Sequence, residues 1–108
     1  MHKFKETEVG LIPSNWSVTK IGEIGEVIGG GTPSTSESKY WGGNIPWITP
    51  RDLSDYQEIY IEHGERNITK EGLLNSAARL MPAGTVLLSS RAPIGYVAIA
   101  KCDVATNQ

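Results

Sequence analysis

Apolar residues in this chain come in short runs cut by glycine, proline and small hydroxyl residues. The first run lies in "LIPSNWSVTKIGEIGEVIGG". Trp16, Val18 and Lys20 alternate with polar positions, which predicts a short strand with Trp16 on its buried side. Ile21, Ile24 and Ile28 have helical spacing, but Gly22 and Gly25 interrupt it, so a helical turn is expected at 21–25 and a strand at 26–29. Residues 1–10 are polar, and a frayed or peripheral terminus is expected there. Residues 29–44 read as a long loop, and "NIPWIT" at 44–49 as a strand.

Helix signals come next. In "TPRD", Thr49 suits an N-cap, Pro50 the first helical position and Asp52 the third, so a short helix should begin there. "YQEIYIEHG" alternates, with Ile59 and Ile61 on one face and Glu58, Tyr60 and Glu62 on the other, as in a strand with one wet face. Thr69 is a second cap candidate, for a short helix that turns Leu73 and Leu74 to the core and that Gly72 weakens. Pro82 and Gly84 suit a tight turn. The apolar runs 85–89 and 95–100 flank "SRAPIG" and form the best pair of core strands. Together these elements predict an α+β domain, mixed and mostly β, with short helices.

Composition narrows the class. A chain of 108 residues makes one domain, which buries roughly 60–65% of its accessible surface on folding. Hydrophobic residues at 39% and charged residues at 20% indicate a folded chain rather than a disordered one. Cys102 stands alone, so an internal disulfide is excluded, and a half-buried place near a strand end is expected for it. The reading is a reducing compartment, and a cytoplasmic location is expected. No apolar run approaches the ~20 residues of a membrane span, and "MHKFKETEVG" lacks the apolar stretch of a signal peptide. The net charge of −2 gives no general attraction to polyanions.

The glycine-rich loop "GGGTPSTSESKYWGG" raises the question of phosphate binding. A dinucleotide fingerprint would need a third glycine where Ser34 stands, and a P-loop would need Gly-Lys-Ser/Thr where the chain has Ser38-Lys39-Tyr40. Pro33 also removes an N–H donor that a phosphate cradle would use. No Gly-x-Ser-x-Gly elbow is present. His2 and His63 are isolated, and His63 with Cys102 falls short of a metal-ligand set. Glu58, Glu62 and Glu65 read as a solvated acidic face. What remains is a polar–aromatic set: the hydroxyls of Thr32, Ser34, Thr35 and Ser36, then Lys39, Tyr40 and Trp41, with Arg51 soon after and Arg91 in the later loop. Hydroxyls and arginine forks meet phosphate oxygens and base edges. The same residues also suit a protein-interaction or structural domain, and Arg51 could simply pair with Asp52 or Asp55.

The order of the pieces carries more than any one of them. "GLIPSNWSVTKIGEIGEVIGGGTPS", "YWGGNIPWITPRDL", "NITKEGLLNSAARLMPAGTVLLSSRAPIGYVAI" and "TNQ" follow one another from about Gly10 to Gln108. In this the chain closely resembles the N-terminal target recognition domain of the specificity subunit of type I restriction–modification systems.

That resemblance implies a non-catalytic, DNA-binding role. Such a subunit carries two recognition domains joined by long helices, each reading one half of a split double-stranded DNA target. Partner methyltransferase subunits use S-adenosylmethionine to methylate adenine, and restriction subunits use ATP with Mg, so no cofactor is expected in this chain itself. The family pattern continues past Thr106-Asn107-Gln108 into further strands and a spacer helix. Residues 1–108 are therefore expected to be one partial recognition domain, truncated at its C-terminal end, which as a half-subunit could pair as a homodimer. A truncated relative acting only as a protein-interaction module is the alternative.

Residues shared across a family with many targets are expected to be scaffold, namely Trp16, Trp47, Ile48, Gly84 and Gly95. Variable loops, 34–39 above all and 52–58 next, are expected to face DNA. Arg51 and Arg91 lie in shared blocks and are expected to touch phosphates. Glycines 29–31 with Pro33 are expected to form a fixed hinge.

Overall fold

The computed structural model describes residues 3–108. Along the chain run β1 (Phe4–Thr7), β2 (Gly10–Pro13), α1 (Ile21–Ile24), a 3-10 turn (Ser38–Tyr40), β3 (Trp41–Ile48), α2 (Pro50–Asp55), β4 (Tyr60–Ile61), β5 (Arg66–Ile68), α3 (Lys70–Leu74), β6 (Val86–Leu88), β7 (Val97–Ala100) and β8 (Ala105–Thr106). The mixed, mostly β class with short helices is the one the pattern predicts.

Two three-stranded sheets hold the body together, in the orders β5-β3-β8 and β4-β7-β6. In the first, β5 runs antiparallel to β3 and β8 parallel to it. In the second, β6 runs antiparallel to β7 and β4 parallel. The β6–β7 pair is the one expected from the two apolar runs. Gly95 (φ +93°) helps turn the chain between them, and its N–H donates to the Ser89 carbonyl at 3.0 Å. The Pro82–Gly84 turn is also present, with the Thr85 N–H donating to Pro82 O.

β3 lies between two small cores. Adjacent residues on a strand face opposite sides, and Trp47 and Ile48 do so here. Ile48 packs with Leu53, Ile61, Leu87, Ala98, Ala100 and Val104, and Cys102 lies half-buried beside them. Trp47 packs with Ile68, Ala78 and Ala105, against which Trp41, Ile45 and Leu73 are partly buried. A strand buried on both faces explains why the "IPWI" run does not alternate.

Both predicted helix caps are in place. The Thr49 hydroxyl accepts from the Asp52 N–H while the Asp52 carboxylate accepts from the Thr49 N–H at 3.0 Å, which closes a capping box with Pro50 at the first helical turn. Asp52 also accepts from the Glu65 N–H at 3.1 Å, so one carboxylate ties the helix start to the loop before β5. The Thr69 hydroxyl caps α3 by accepting from the Gly72 N–H at 3.0 Å.

Four expectations are corrected. Trp16 is 61% exposed and lies on no strand. Its segment alternates, but no neighbouring strand supplies a ladder. Residues 26–29 form no strand either. Ile59 is 65% exposed although Ile61 is buried: its carbonyl accepts from the Ile99 N–H at 2.8 Å, but at the end of the strand its side chain lies outside the core that takes Ile61. Leu74 is 71% exposed. Successive helical residues are about 100° apart, so one short turn can aim Leu73 or Leu74 at the core, and it aims Leu73.

The N-terminal stretch is more ordered than its polarity suggests. β1 and β2 form an antiparallel hairpin, and the Thr7 hydroxyl donates to Gly10 O across its turn. It is peripheral all the same: no residue from 3 to 28 is buried. The molecule accordingly measures 59 × 26 × 24 Å. His2 lies outside the described residues.

Candidate functional site

The loop between α1 and β3 is fixed in backbone and exposed in side chains. At its start the Gly31 N–H donates to Thr106 O, and its carbonyl accepts from the buried Trp47 indole, both at 3.0 Å. The donor that a phosphate cradle would need is thus already given to β8, and Pro33 next to it is fully buried. A Cβ on Gly30 would collide with the Thr106 and Asn107 carbonyls. These glycines allow a close approach of backbones rather than a hinge motion.

The far end of the loop is fixed as firmly. The Trp41 indole donates to Ser34 O at 3.0 Å. The Thr69 hydroxyl donates to Lys39 O at 2.7 Å, and the Thr69 N–H to Tyr40 O at 2.9 Å. Within the loop, Glu37 N–H donates to Ser34 O and Tyr40 N–H to Glu37 O. Ser34, Thr35, Ser36 and Lys39 are exposed. Ser34 and Ser36 hydroxyls lie 2.9 Å apart. Lys39 lies 4.0 Å from Glu37 and 5.8 Å from the Tyr40 ring centroid. Thr32 is exposed and donates to the Gln108 side chain at 2.7 Å, and Tyr40 is half-buried.

The two arginines stand apart from that cluster. Arg51 is exposed on the first turn of α2 and forms no ion pair with Asp52 or Asp55. Among the described residues the ion pairs are Lys39–Glu37 and Lys101–Glu62. Asp52 is committed to its cap instead. Arg91 is exposed beyond β6, on the rim of an apolar groove of about 640 Å³ whose walls include Ile24, Val27, Leu53 and Leu88. The structure therefore brings Ser34 to Tyr40 into one surface and leaves Arg51 and Arg91 outside it.

Sequence reasoning missed Arg66. Its guanidinium lies over the Trp41 ring, 3.6 Å from the centroid. Trp41 in turn packs edge-on against Trp47, centroids 5.0 Å apart and planes at 85°. Arg66 follows an acidic stretch, and no local pattern singles it out. Only the β3–β5 pairing, which sets Trp47 opposite Arg66, brings it beside the loop.

Among the described residues no three His, Cys, Asp or Glu side chains converge to hold a metal. No helix of the described residues is long and apolar enough to cross a membrane.

Known proteins are similar to this chain in sequence. The chain is 60% identical over 106 residues to the type I restriction enzyme MjaIX specificity subunit of Methanocaldococcus jannaschii, covering 98% of this chain and 24% of that protein. It is 38% identical over 92 residues to the EcoR124I/EcoR124II specificity subunit of Escherichia coli, covering 84% of this chain and 20% of the other. It is 26% identical over 97 residues to the HindI specificity subunit of Haemophilus influenzae, covering 90% and 21%. The chain thus spans a quarter or less of the length of these relatives. The family model for the type I restriction modification DNA specificity domain matches residues 13–108, and the chain belongs to that family.

Proposed function

We propose that this chain is a sequence-reading DNA-binding domain of a type I restriction–modification system. It recognises one half of a split target and carries out no chemistry itself. The observation that carries this reading is a loop whose backbone is tied to β8, Trp41 and Thr69 while its hydroxyl and lysine side chains stand in solvent. A reader must hold donors and acceptors in fixed positions against base edges, and ordering them before binding lowers the entropy cost of association. Partner methyltransferase subunits would bring S-adenosylmethionine and methylate adenine. Restriction subunits would bring ATP and Mg. The site of action is the cytoplasm, where the DNA is. The relatives, each a type I restriction enzyme specificity subunit, support this over a bare interaction module.

Within this function Arg51 and Arg91 serve as phosphate anchors outside the reading loop. With a net charge of −2, local cations must supply the attraction to DNA, helped by the partner subunits. Arg51→Ala and Arg91→Ala are each expected to weaken DNA binding by about the same factor on every sequence and to lower the salt slope by about 1. Titrations at several salt concentrations check this. Unchanged affinity and slope in both variants would remove the two arginines from the interface.

A further inference from the structure

We propose that Arg66 is a DNA-contacting residue and that Trp41 positions it. This rests on the DNA-reading function above and adds a contact to it. Three observations support it together. The guanidinium carbon lies over the indole, 3.6 Å from the ring centroid, a contact that holds the group in place without using its N–H donors. Those donors have no partner in the protein: among the described residues Arg66 takes part in neither ion pair, and its side chain makes no hydrogen bond there. The indole that holds it also donates to Ser34 O, at the start of the exposed loop. One ring thus sets the position of an arginine fork and of the loop beside it.

The chemistry of that fork defines its ligand. A planar guanidinium binds two acceptors side by side, and stacking on an aromatic ring orients it while costing none of its donors. On DNA such paired acceptors are the two free oxygens of a phosphate or the O6 and N7 of guanine. Lysine in the same place would carry the charge without the plane. Two further cations stand on the segments around it: Lys39, over Tyr40 and 4.0 Å from Glu37, and Lys70, which opens α3 directly after the Thr69 that binds the Lys39 and Tyr40 carbonyls.

The test uses the complete specificity-subunit assembly carrying this chain, with duplex DNA bearing its methylated sequence. Arg66→Ala is expected to weaken binding about tenfold or more and to move the melting temperature by only a few degrees, since Arg66 is exposed and loses only its contact with Trp41. Arg66→Lys is expected to recover only a small part of that loss. Trp41→Phe keeps a flat ring under the guanidinium but loses the indole N–H that donates to Ser34 O, and is expected to weaken binding by less than Arg66→Ala does. A uniform loss across sequences with a salt slope lower by about 1 identifies a phosphate. Relaxed methylation at one position of the motif identifies guanine. Wild-type affinity, slope and motif in Arg66→Ala would overturn the assignment while leaving the reading function intact. Arg66→Lys equal to wild type would overturn the role of the stacked plane. A wild-type assembly with no sequence preference would overturn the reading function and this assignment with it.

Discussion

Gly31→Ala is expected to destabilise the domain by about 3 kcal/mol, because overpacking and the loss of a buried hydrogen bond each cost 1–3 kcal/mol. A Cβ on Gly31 would stand 2.5 Å from the Ala78 nitrogen and 2.6 Å from the Ala77 carbonyl carbon. Those are backbone atoms, which cannot swing aside as a side chain can. Gly31 cannot retreat either, because its N–H is bonded to Thr106 O and its carbonyl to the Trp47 indole. Any shift weakens one of these bonds or pulls Trp47 out of its core. The melting temperature should fall by roughly 12–24 °C, at about 4–8 °C per kcal/mol for a domain near this size. Gly29→Ala is the control: a Cβ there meets nothing within 4 Å, and its effect should stay within ~0.5 kcal/mol. Thermal unfolding of the two variants beside wild type decides it. Equal melting temperatures for all three would show that the loop start is not pinned as described.

The second large effect is on selectivity. Replacing Ser34–Lys39 with six residues from a relative of different target should change which DNA is bound and methylated while leaving the fold in place. The bonds that fix this loop use backbone atoms of Ser34, Glu37 and Lys39, which any residue except proline supplies. The side chains themselves face solvent, and surface changes of this kind usually move stability by less than ~0.5 kcal/mol each. Each mismatched base pair costs ~1–3 kcal/mol. Two altered base contacts would therefore turn preference away from the original half-site by about 10²-fold or more. Competition binding with the two half-sites measures this. A graft that folds and keeps the original preference would show that these six residues do not read bases.

How much of this was legible in the sequence follows from the range of the interactions. The caps at Thr49 and Thr69 were legible because a cap is settled within four residues. β6 and β7 were legible because two apolar runs joined by a short loop have little alternative to pairing. The parallel pairings of β8 with β3 and β4 with β7 were not. They join residues about 40 to 60 positions apart, as Trp47 with Ala105 and Tyr60 with Ile99, and no local pattern encodes such a choice. Trp16 misled for a related reason. Alternation describes a strand only where a neighbour pairs with it, and residues 14–20 have none.

The candidate site divides the same way. The exposed loop 34–39 could be placed from its composition and from the apolar runs that bracket it. Its rigidity could not, because the anchors come from Thr106, Thr69 and Trp41, and two of those are distant in sequence. The same distance hid Arg66, which joins the site only through the register of β5 on β3. In the glycine run the residue type was informative but its purpose was not. Glycine marks a close approach, and the partner backbones at Ala77–Ala78 and Thr106–Asn107 become visible only in the fold.

The central claim is that this domain reads one half of a divided DNA sequence. The most direct measurement is to map methylated adenines in DNA from cells whose assembly carries this chain. The map is then repeated after residues 13–108 are exchanged for the matching segment of a relative with a different target. One half of the methylated motif should change, while the other half and the spacing between them stay as they were. An unchanged motif after the exchange would contradict the account.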